Sequence, residues 1–299
     1  MKQSFRGAID WSKLAPLRLR ARLVAEGAWA GMHPSPRRGA GVEFGGHRAY
    51  TPGDDLRFID RHALMRHGEL MIREFETETD RDLRLLVDAT PSMTYQSARG
   101  PVSKLGYAAL IAAALAKITV DTGDRVGLDW LGGKEMRPLP AMGGGEAFER
   151  VANLLEDAQA EALSERDVDK ALAAAERSRR GTIVVLLSDL LDLPDAAIER
   201  VTALGAHRRV VIALQVLDPE ELDFSFAGPV RLKSLEDGTI VDTDADAVRQ
   251  GYLEAMARLR TTWEKRLSAR GGRLVSAVTT EDPVGVVVRA LRAIAGGRT

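Results

Sequence analysis

From residue 82 onward, short apolar runs alternate with longer amphipathic segments, and this alternation restricts the fold more than any other feature of the sequence. Such alternation is typical of parallel strands joined by crossover helices. It predicts strands at residues 83–87, 125–131, 182–187, 209–216 and 273–278. It predicts helices at residues 103–120, 146–158, 166–179, 194–204, 245–269 and 283–295. We therefore expect an α/β domain over residues 81–299, with a central, mainly parallel sheet flanked by helices.

The segment before residue 81 does not follow this alternation. A helix with interspersed arginines is predicted at residues 12–27. We therefore interpret residues 1–35 as a basic amino-terminal helix followed by a linker. Residues 36–80 contain short alternating segments, which predict a small β-rich elaboration packed on the sheet. Apolar and polar residues alternate on both sides of Asp237 and Gly238, a pair typical of type I′ turns. This pattern predicts a β-hairpin insertion near residues 229–243.

Composition excludes several classes of protein. The chain has 299 residues and 45% hydrophobic content, enough for a packed core, and its net charge of −1 gives no reason to expect a nucleic-acid partner. The absence of cysteine excludes disulfides, thiolate nucleophiles and zinc–thiolate sites. No apolar run approaches the roughly 20 residues of a membrane span, and residues 1–10 are too polar for a signal peptide. We expect a cytoplasmic protein with no transmembrane segment, and a peripheral membrane contact stays open.

The first predicted strand ends in an acid that is followed by two hydroxyl residues at alternate positions, Asp88, Thr90 and Ser92. A loop at the carboxyl end of a parallel strand can aim such oxygens at one point, where they suit Mg²⁺ or Ca²⁺. Thr90 and Ser92 would ligate directly, and Asp88 would act through water or balance the charge. A second apolar run ends in Ser188 and Asp189, so Asp189 is the predicted second carboxylate. The alternative is that these residues only cap helices and form turns.

Two stretches of the sequence resemble known families. Asp88-Ala89-Thr90-Pro91-Ser92 is similar to the Asp-x-Ser-x-Ser motif of von Willebrand factor type A domains, and Asp189 falls where their third metal-site loop carries an Asp. Residues 48–60, Arg-Ala-Tyr-Thr-Pro-Gly-Asp-Asp-Leu-Arg-Phe-Ile-Asp, resemble the signature of the domain of unknown function family 58. Those bacterial proteins carry a von Willebrand A-like domain. The resemblance extends to residues 39–80, 104–105, 123–128, 187–192 and 217–222, and it covers roughly residues 35–230.

The resemblance implies a Rossmann-like von Willebrand A domain with a metal ion-dependent adhesion site, which would hold Mg²⁺ at Asp88, Thr90, Ser92 and Asp189. It also implies a non-enzymatic protein-binding module, an adaptor or co-chaperone that works with a MoxR-type AAA+ ATPase. A complete site of this kind takes a further Thr from a middle loop, and Arg166 stands in that place. Either Ser164 substitutes after a loop shift, or an arginine cation lies near the metal position.

Two other functions stay open at this point. The metal site can be vestigial, on a protein that acts as a structural scaffold. Alternatively, the protein is a metal-dependent hydrolase that uses the cation to activate water or to bind phosphate. A phosphatase of the Asp-x-Asp type would carry a second Asp where this chain has Thr90.

Overall fold

The structure is a computed structural model that describes residues 16–31, 43–50, 59–60, 63, 65, 70–76, 81–134, 136–161, 165–191, 193–207 and 209–296. The chain divides into two compact units, one formed by Met1–Met32 with Arg81–Thr299 and the other by His33–Asp80. The first described helix of the larger unit is α1 (Leu17–Gly31). The smaller unit contains strands β1 (Glu43–Ala49) and β2 (Met71–Glu76), which pair antiparallel. The segment boundaries predicted at residues 35 and 80 stay predictions.

The larger unit is built on a six-stranded sheet with the order β5-β4-β3-β6-β7-β10. Its strands are β3 (Asp82–Ala89), β4 (Arg125–Gly132), β5 (Leu139–Met142), β6 (Ile183–Ser188), β7 (Val210–Leu217) and β10 (Arg273–Val278). All neighbours are parallel except β5, which pairs antiparallel with β4. Counted along the chain, this is the order 3-2-1-4-5-6 of doubly wound folds, and the winding direction reverses between β3 and β6.

Helices cover both faces of this sheet. One face packs against α2 (Lys104–Asp121), α3 (Gly145–Glu156) and α8 (Pro283–Gly296), with α1 outside them. The other face packs against α4 (Glu165–Glu176), α5 (Asp195–Ala203) and, after the short α6 (Pro219–Asp223), the end of α7 (Ala245–Ser268). Helix α2 is alanine-rich and buries 12 of its 18 residues, because it lies between the sheet and α1. The predicted fold class, including the amino-terminal helix and a small two-stranded sheet, is confirmed.

Two elements differ from the predicted ones. Helix α1 continues past Gly27, where the prediction ended, to Gly31. Gly27 instead permits close packing, since an added Cβ would lie 3.1 Å from a methyl group of Val284 on α8. Strand β5 was not predicted, because Pro140 lies in its middle and proline is tolerated in a sheet only where no ladder hydrogen bond is needed, as on this edge strand.

A separate hairpin precedes α7. Strands β8 (Pro229–Lys233) and β9 (Ile240–Asp244) pair antiparallel and are connected by the six residues 234–239. Asp237 and Gly238 therefore lie within a longer connection, and the predicted two-residue type I′ turn at this pair is wrong. Helix α7 then runs for 24 residues, of which only Ala245, Trp263 and Leu267 are buried. Most of its length faces solvent.

We predict that Trp263→Ala lowers the free energy of unfolding by about 3–5 kcal/mol, because Trp263 is fully buried and its loss leaves a cavity beneath the end of α7. Leu253→Ala, on the exposed part of the same helix, should change it by less than about 1 kcal/mol. Urea denaturation followed by circular dichroism measures both. Equal effects of the two variants would show that α7 is not anchored through Trp263.

Candidate functional site

The candidate site lies at the carboxyl ends of β3 and β6. These strands are parallel neighbours, and the register pairs Val87 with Leu187, so that Asp88 and Ser188 follow at the same level. The position is the topological switch point of the sheet, where the connections leave in opposite directions and open a crevice. Residues from three loops meet there, after β3, β6 and β7.

The Asp88 carboxylate is the buried acceptor at the centre of the site, with 2% of the residue exposed. Its Oδ1 accepts hydrogen bonds from the backbone N–H of Thr90 at 3.0 Å and from the Thr90 hydroxyl at 2.7 Å. Its Oδ2 accepts a hydrogen bond from the Ser188 hydroxyl at 2.5 Å. Burial, and secondarily the nearby Asp189 carboxylate, raise the pKa of Asp88 to about 6, against the opposing effect of these donors.

Two hydroxyl groups lie in front of this carboxylate. The Oγ1 of Thr90 and the Oγ of Ser92 are 3.1 Å apart, and Ser92 is half-buried. In an octahedral Mg²⁺ site, two adjacent oxygen ligands at about 2.1 Å from the ion are about 3.0 Å apart. The hydroxyl oxygens can coordinate while their protons point to acceptors such as Asp88. The two hydroxyl oxygens therefore have the spacing of adjacent ligands to a small divalent cation, and together with the Asp88 carboxylate they have suitable donor chemistry.

Asp189, the predicted second carboxylate of the metal site, forms an ion pair with a lysine side chain. Its Oδ2 accepts a hydrogen bond at 2.8 Å from the ammonium group of Lys104, and its Oδ1 accepts one from the N–H of Leu191. Lys104 is fully buried at the start of α2, and its Nζ also donates to Glu221 Oε1 at 2.5 Å. Asp189 is thus beside Asp88 but points to Lys104.

In the triad of Lys104, Asp189 and Glu221, the ammonium group stabilises both carboxylates. Burial alone lowers the pKa of Lys104, but the two carboxylates outweigh it, and the pKa of the ammonium is raised above its ordinary value. Burial raises the pKa of Glu221, and the Lys104 charge partly reverses that shift. Lys104 is therefore positively charged at neutral pH.

Glu221 connects the triad to the loop after β7. Its Oε2 accepts a hydrogen bond from the N–H of Asp218, which caps α6 and completes a capping box. The Asp218 carboxylate is itself buried and accepts a hydrogen bond from the N–H of Ser97, in the loop after β3. Gly100 is required beside it, since an added Cβ would collide with Asp218 Oδ2. The three loops at this edge are thus joined by hydrogen bonds and ion pairs.

The structure brings Asp88, Thr90 and Ser92 together and places Asp189 next to them. Ser164 lies outside the described residues, and the side chain of Arg166 is not described either. In the described part of the chain, no group of three or more His, Asp or Glu side chains is arranged to hold a metal ion. The assignment of the four predicted residues as metal ligands stays a prediction.

The sequence analysis assigned no role in the site to three residues that the structure places there, namely Ser188, Lys104 and Glu221. Lys104 had a readable signal, because it is a lone charge between a helix cap, Ser103, and a nearly continuous apolar helix. The Asp-x-x-Glu spacing of the capping box was a signal for Glu221. Neither signal says that the two side chains meet, because they are 117 residues apart in sequence.

Comparison with known proteins identifies the family. Residues 46–262 match the family described as "Protein of unknown function DUF58". The chain belongs to the DUF58 family. An uncharacterized protein of Mycobacterium tuberculosis is 30% identical to it over 291 residues, which cover 95% of this chain and 90% of the relative. The von Willebrand A-like fold implied by the sequence resemblance is the fold of this DUF58 protein, in sheet order and flanking helices.

Solved structures with a similar fold were also found. An aerotolerance-related membrane protein from Bacteroides fragilis is 17% identical, with a TM-score of 0.46 and coverage of 72% of this chain and 98% of the other. A von Willebrand factor type A protein from Catenulispora acidiphila is 13% identical, with a TM-score of 0.42 and coverage of 74% and 43%. Among its own described helices, this DUF58 protein has none that is long and apolar enough to cross a membrane.

We predict that Lys104→Met lowers the free energy of unfolding by about 3–5 kcal/mol, because it leaves the buried carboxylate of Asp189 and the partly buried carboxylate of Glu221 without a counter-charge. The matched control is Lys117→Met on the same helix, whose ion pair with Asp121 is partly exposed and contributes less than about 1 kcal/mol. Chemical denaturation at pH 7 measures both. A Lys104 effect as small as that of Lys117 would contradict the triad.

A second prediction concerns pH. The folded state holds the Asp88 proton more tightly than the unfolded state, since the pKa is raised from 3.8 to about 6. The resulting stability is complete below pH 4 and is lost as the pH rises through about 6. In EDTA, the free energy of unfolding of the wild type should fall relative to Asp88→Asn over this range, by on the order of 3 kcal/mol. A difference between the two proteins that stays constant or grows with pH would contradict the shift.

Proposed function

We propose that this DUF58 protein is a non-enzymatic protein-binding module, an adaptor or co-chaperone that works with a MoxR-type AAA+ ATPase through a Mg²⁺-dependent adhesion site. One observation carries the proposal. Two hydroxyl oxygens, those of Thr90 and Ser92, lie 3.1 Å apart at the switch point of the sheet, in front of the buried Asp88 carboxylate. The partner class is supported by the family resemblance alone.

In this proposal, each residue of the site has a separate role. Thr90 and Ser92 hold the cation, and Asp88 orients the Thr90 hydroxyl through its 2.7 Å hydrogen bond and supplies negative charge. When bound there, the cation offers an open coordination position to a carboxylate oxygen of the partner. Ser188 fixes the other oxygen of Asp88, so that the carboxylate cannot turn toward solvent.

A specific observation favours a second function, a scaffold with a vestigial metal site. Lys104 already provides a buried positive charge to Asp189, at 2.8 Å, and this ion pair joins two of the three loops. A protein held in this way needs no divalent cation to keep the edge of the sheet folded. On this alternative, the surface at Thr90 and Ser92 binds its partner without metal.

We predict that Ser92→Ala lowers the affinity of the chain for Mn²⁺, used as a probe of the Mg²⁺ site, by at least about tenfold, because it removes one hydroxyl ligand. Among the described residues, the Ser92 hydroxyl is hydrogen-bonded only to that of Thr90, so the loop should stay folded without it. Thr94→Ala is the matched control, since its hydroxyl lies in the same loop but donates to the Pro91 carbonyl. Isothermal titration calorimetry measures the affinities.

Capture of a MoxR-type ATPase by the immobilised chain separates the functions. We expect capture that EDTA abolishes, that Ser92→Ala weakens and that Thr94→Ala leaves unchanged. No binding of Mg²⁺, Mn²⁺ or Ca²⁺, together with capture that is insensitive to EDTA and to Asp88→Ala, would support the scaffold instead. Phosphatase or nuclease turnover that disappears in Asp88→Ala would overturn the proposal in favour of a hydrolase.

A further inference from the structure

The tip of the β8–β9 hairpin touches the candidate site. The backbone N–H of Ser92 donates a hydrogen bond at 2.8 Å to Oε1 of Glu236, a residue 144 positions later in the chain. Ser92 is also the residue whose hydroxyl lies 3.1 Å from that of Thr90. The Glu236 carboxylate is thus bound to the backbone of a residue that carries one of the two hydroxyls.

The connection between β8 and β9 is folded so that it holds Glu236 in place. The Ser234 hydroxyl accepts a hydrogen bond from the N–H of Glu236 at 3.3 Å, and the N–H of Ser234 donates to the carbonyl of Thr239 at 2.8 Å. Asp237 accepts hydrogen bonds from both the N–H and the hydroxyl of Thr239. Glu236 is half-buried, whereas its neighbours Leu235 and Asp237 are exposed. The hydrogen bonds of the turn therefore hold the Glu236 carboxylate toward the loop after β3.

The hairpin is joined to the loop after β3 by a single hydrogen bond among the described residues. In the described part of the chain, β8 and β9 pair only with each other, and no second hydrogen bond joins residues 229–240 to residues 88–94. At the base of the hairpin, the carbonyl of Gly228 accepts a hydrogen bond from the N–H of Ala245. Loss of the Glu236 contact would release the tip while this base and α7 stay in place.

We infer that Glu236 occupies, in the free chain, the position that the partner's carboxylate takes in the complex, so that the partner must displace the hairpin tip. The inference rests on the proposed function. Two carboxylates beside the same hydroxyl pair would repel each other, and one open coordination position of a cation there accepts only one of them, so the partner's carboxylate binds after Glu236 has left. Glu236 therefore stabilises the cation in the free chain and competes with the partner.

The test compares Glu236→Gln with Asp242→Asn in the full chain. Asp242 is an exposed carboxylate on the same hairpin, and its oxygens accept hydrogen bonds from Arg231. By titration calorimetry, Glu236→Gln should weaken Mn²⁺ binding about tenfold, since it removes a carboxylate from the cation. The same variant should strengthen capture of the MoxR-type ATPase, by about threefold or more, because the site no longer has an internal competitor. Asp242→Asn should change neither.

Weaker Mn²⁺ binding together with stronger capture distinguishes competition from a merely structural role of Glu236. A structural role would weaken both Mn²⁺ binding and capture, or neither. If Ser92→Ala weakens Mn²⁺ binding but Glu236→Gln does not, the proposed cation site stands and the inference about Glu236 is wrong. Weaker capture by Glu236→Gln would also overturn the inference. If the wild type binds no Mn²⁺, the proposed cation site fails and this inference fails with it.

Discussion

The buried ammonium of Lys104 is the interaction on which the carboxyl edge of the sheet depends. It contacts Asp189 after β6 and Glu221 after β7, while its own backbone N–H bonds to the loop after β3 at the carbonyl of Tyr95. A buried charge pair contributes little net stability compared with apolar packing, but it fixes the partners in one arrangement because any other arrangement leaves a charge unpaired. Loop geometry at the site follows from this requirement.

The doubly wound sheet order explains why these groups meet. Because the winding reverses between β3 and β6, no crossover connection covers the carboxyl ends of these two strands, and polar groups can collect there next to an apolar core. The same burial that brings Asp88 and Asp189 together raises the pKa of Asp88 to about 6. Hydrogen bonds from Thr90 and Ser188 offset part of that unfavourable burial.

The sequence predicted the strands and helices of the main sheet well, because each is either an unbroken apolar run or a segment with clear helical periodicity. It failed where local preference and tertiary position disagree. Pro140 argues against a strand but is accepted on an edge, and Gly27 suggests a helix end but serves close packing. In the site, the order Asp88-x-Thr90-x-Ser92 could be read directly. Contacts between distant residues, such as Lys104 with Glu221 or Ser92 with Glu236, leave no local pattern and could not be predicted.

Both acids of the site, Asp88 and Asp189, already have partners within the protein, and this weakens their hold on a cation. Asp88 accepts three hydrogen bonds from neutral donors and Asp189 is paired with the cation of Lys104, so much of the negative charge of the two carboxylates is compensated before a cation binds at Thr90 and Ser92. A cation held mainly by two neutral hydroxyls binds weakly, and an additional carboxylate, from Glu236 or from a partner, contributes a large share of its affinity. By linkage, the cation raises the affinity for the partner by the same factor by which the partner's carboxylate, in place of Glu236, raises the affinity for the cation. The proposed function therefore requires cation and partner to bind cooperatively.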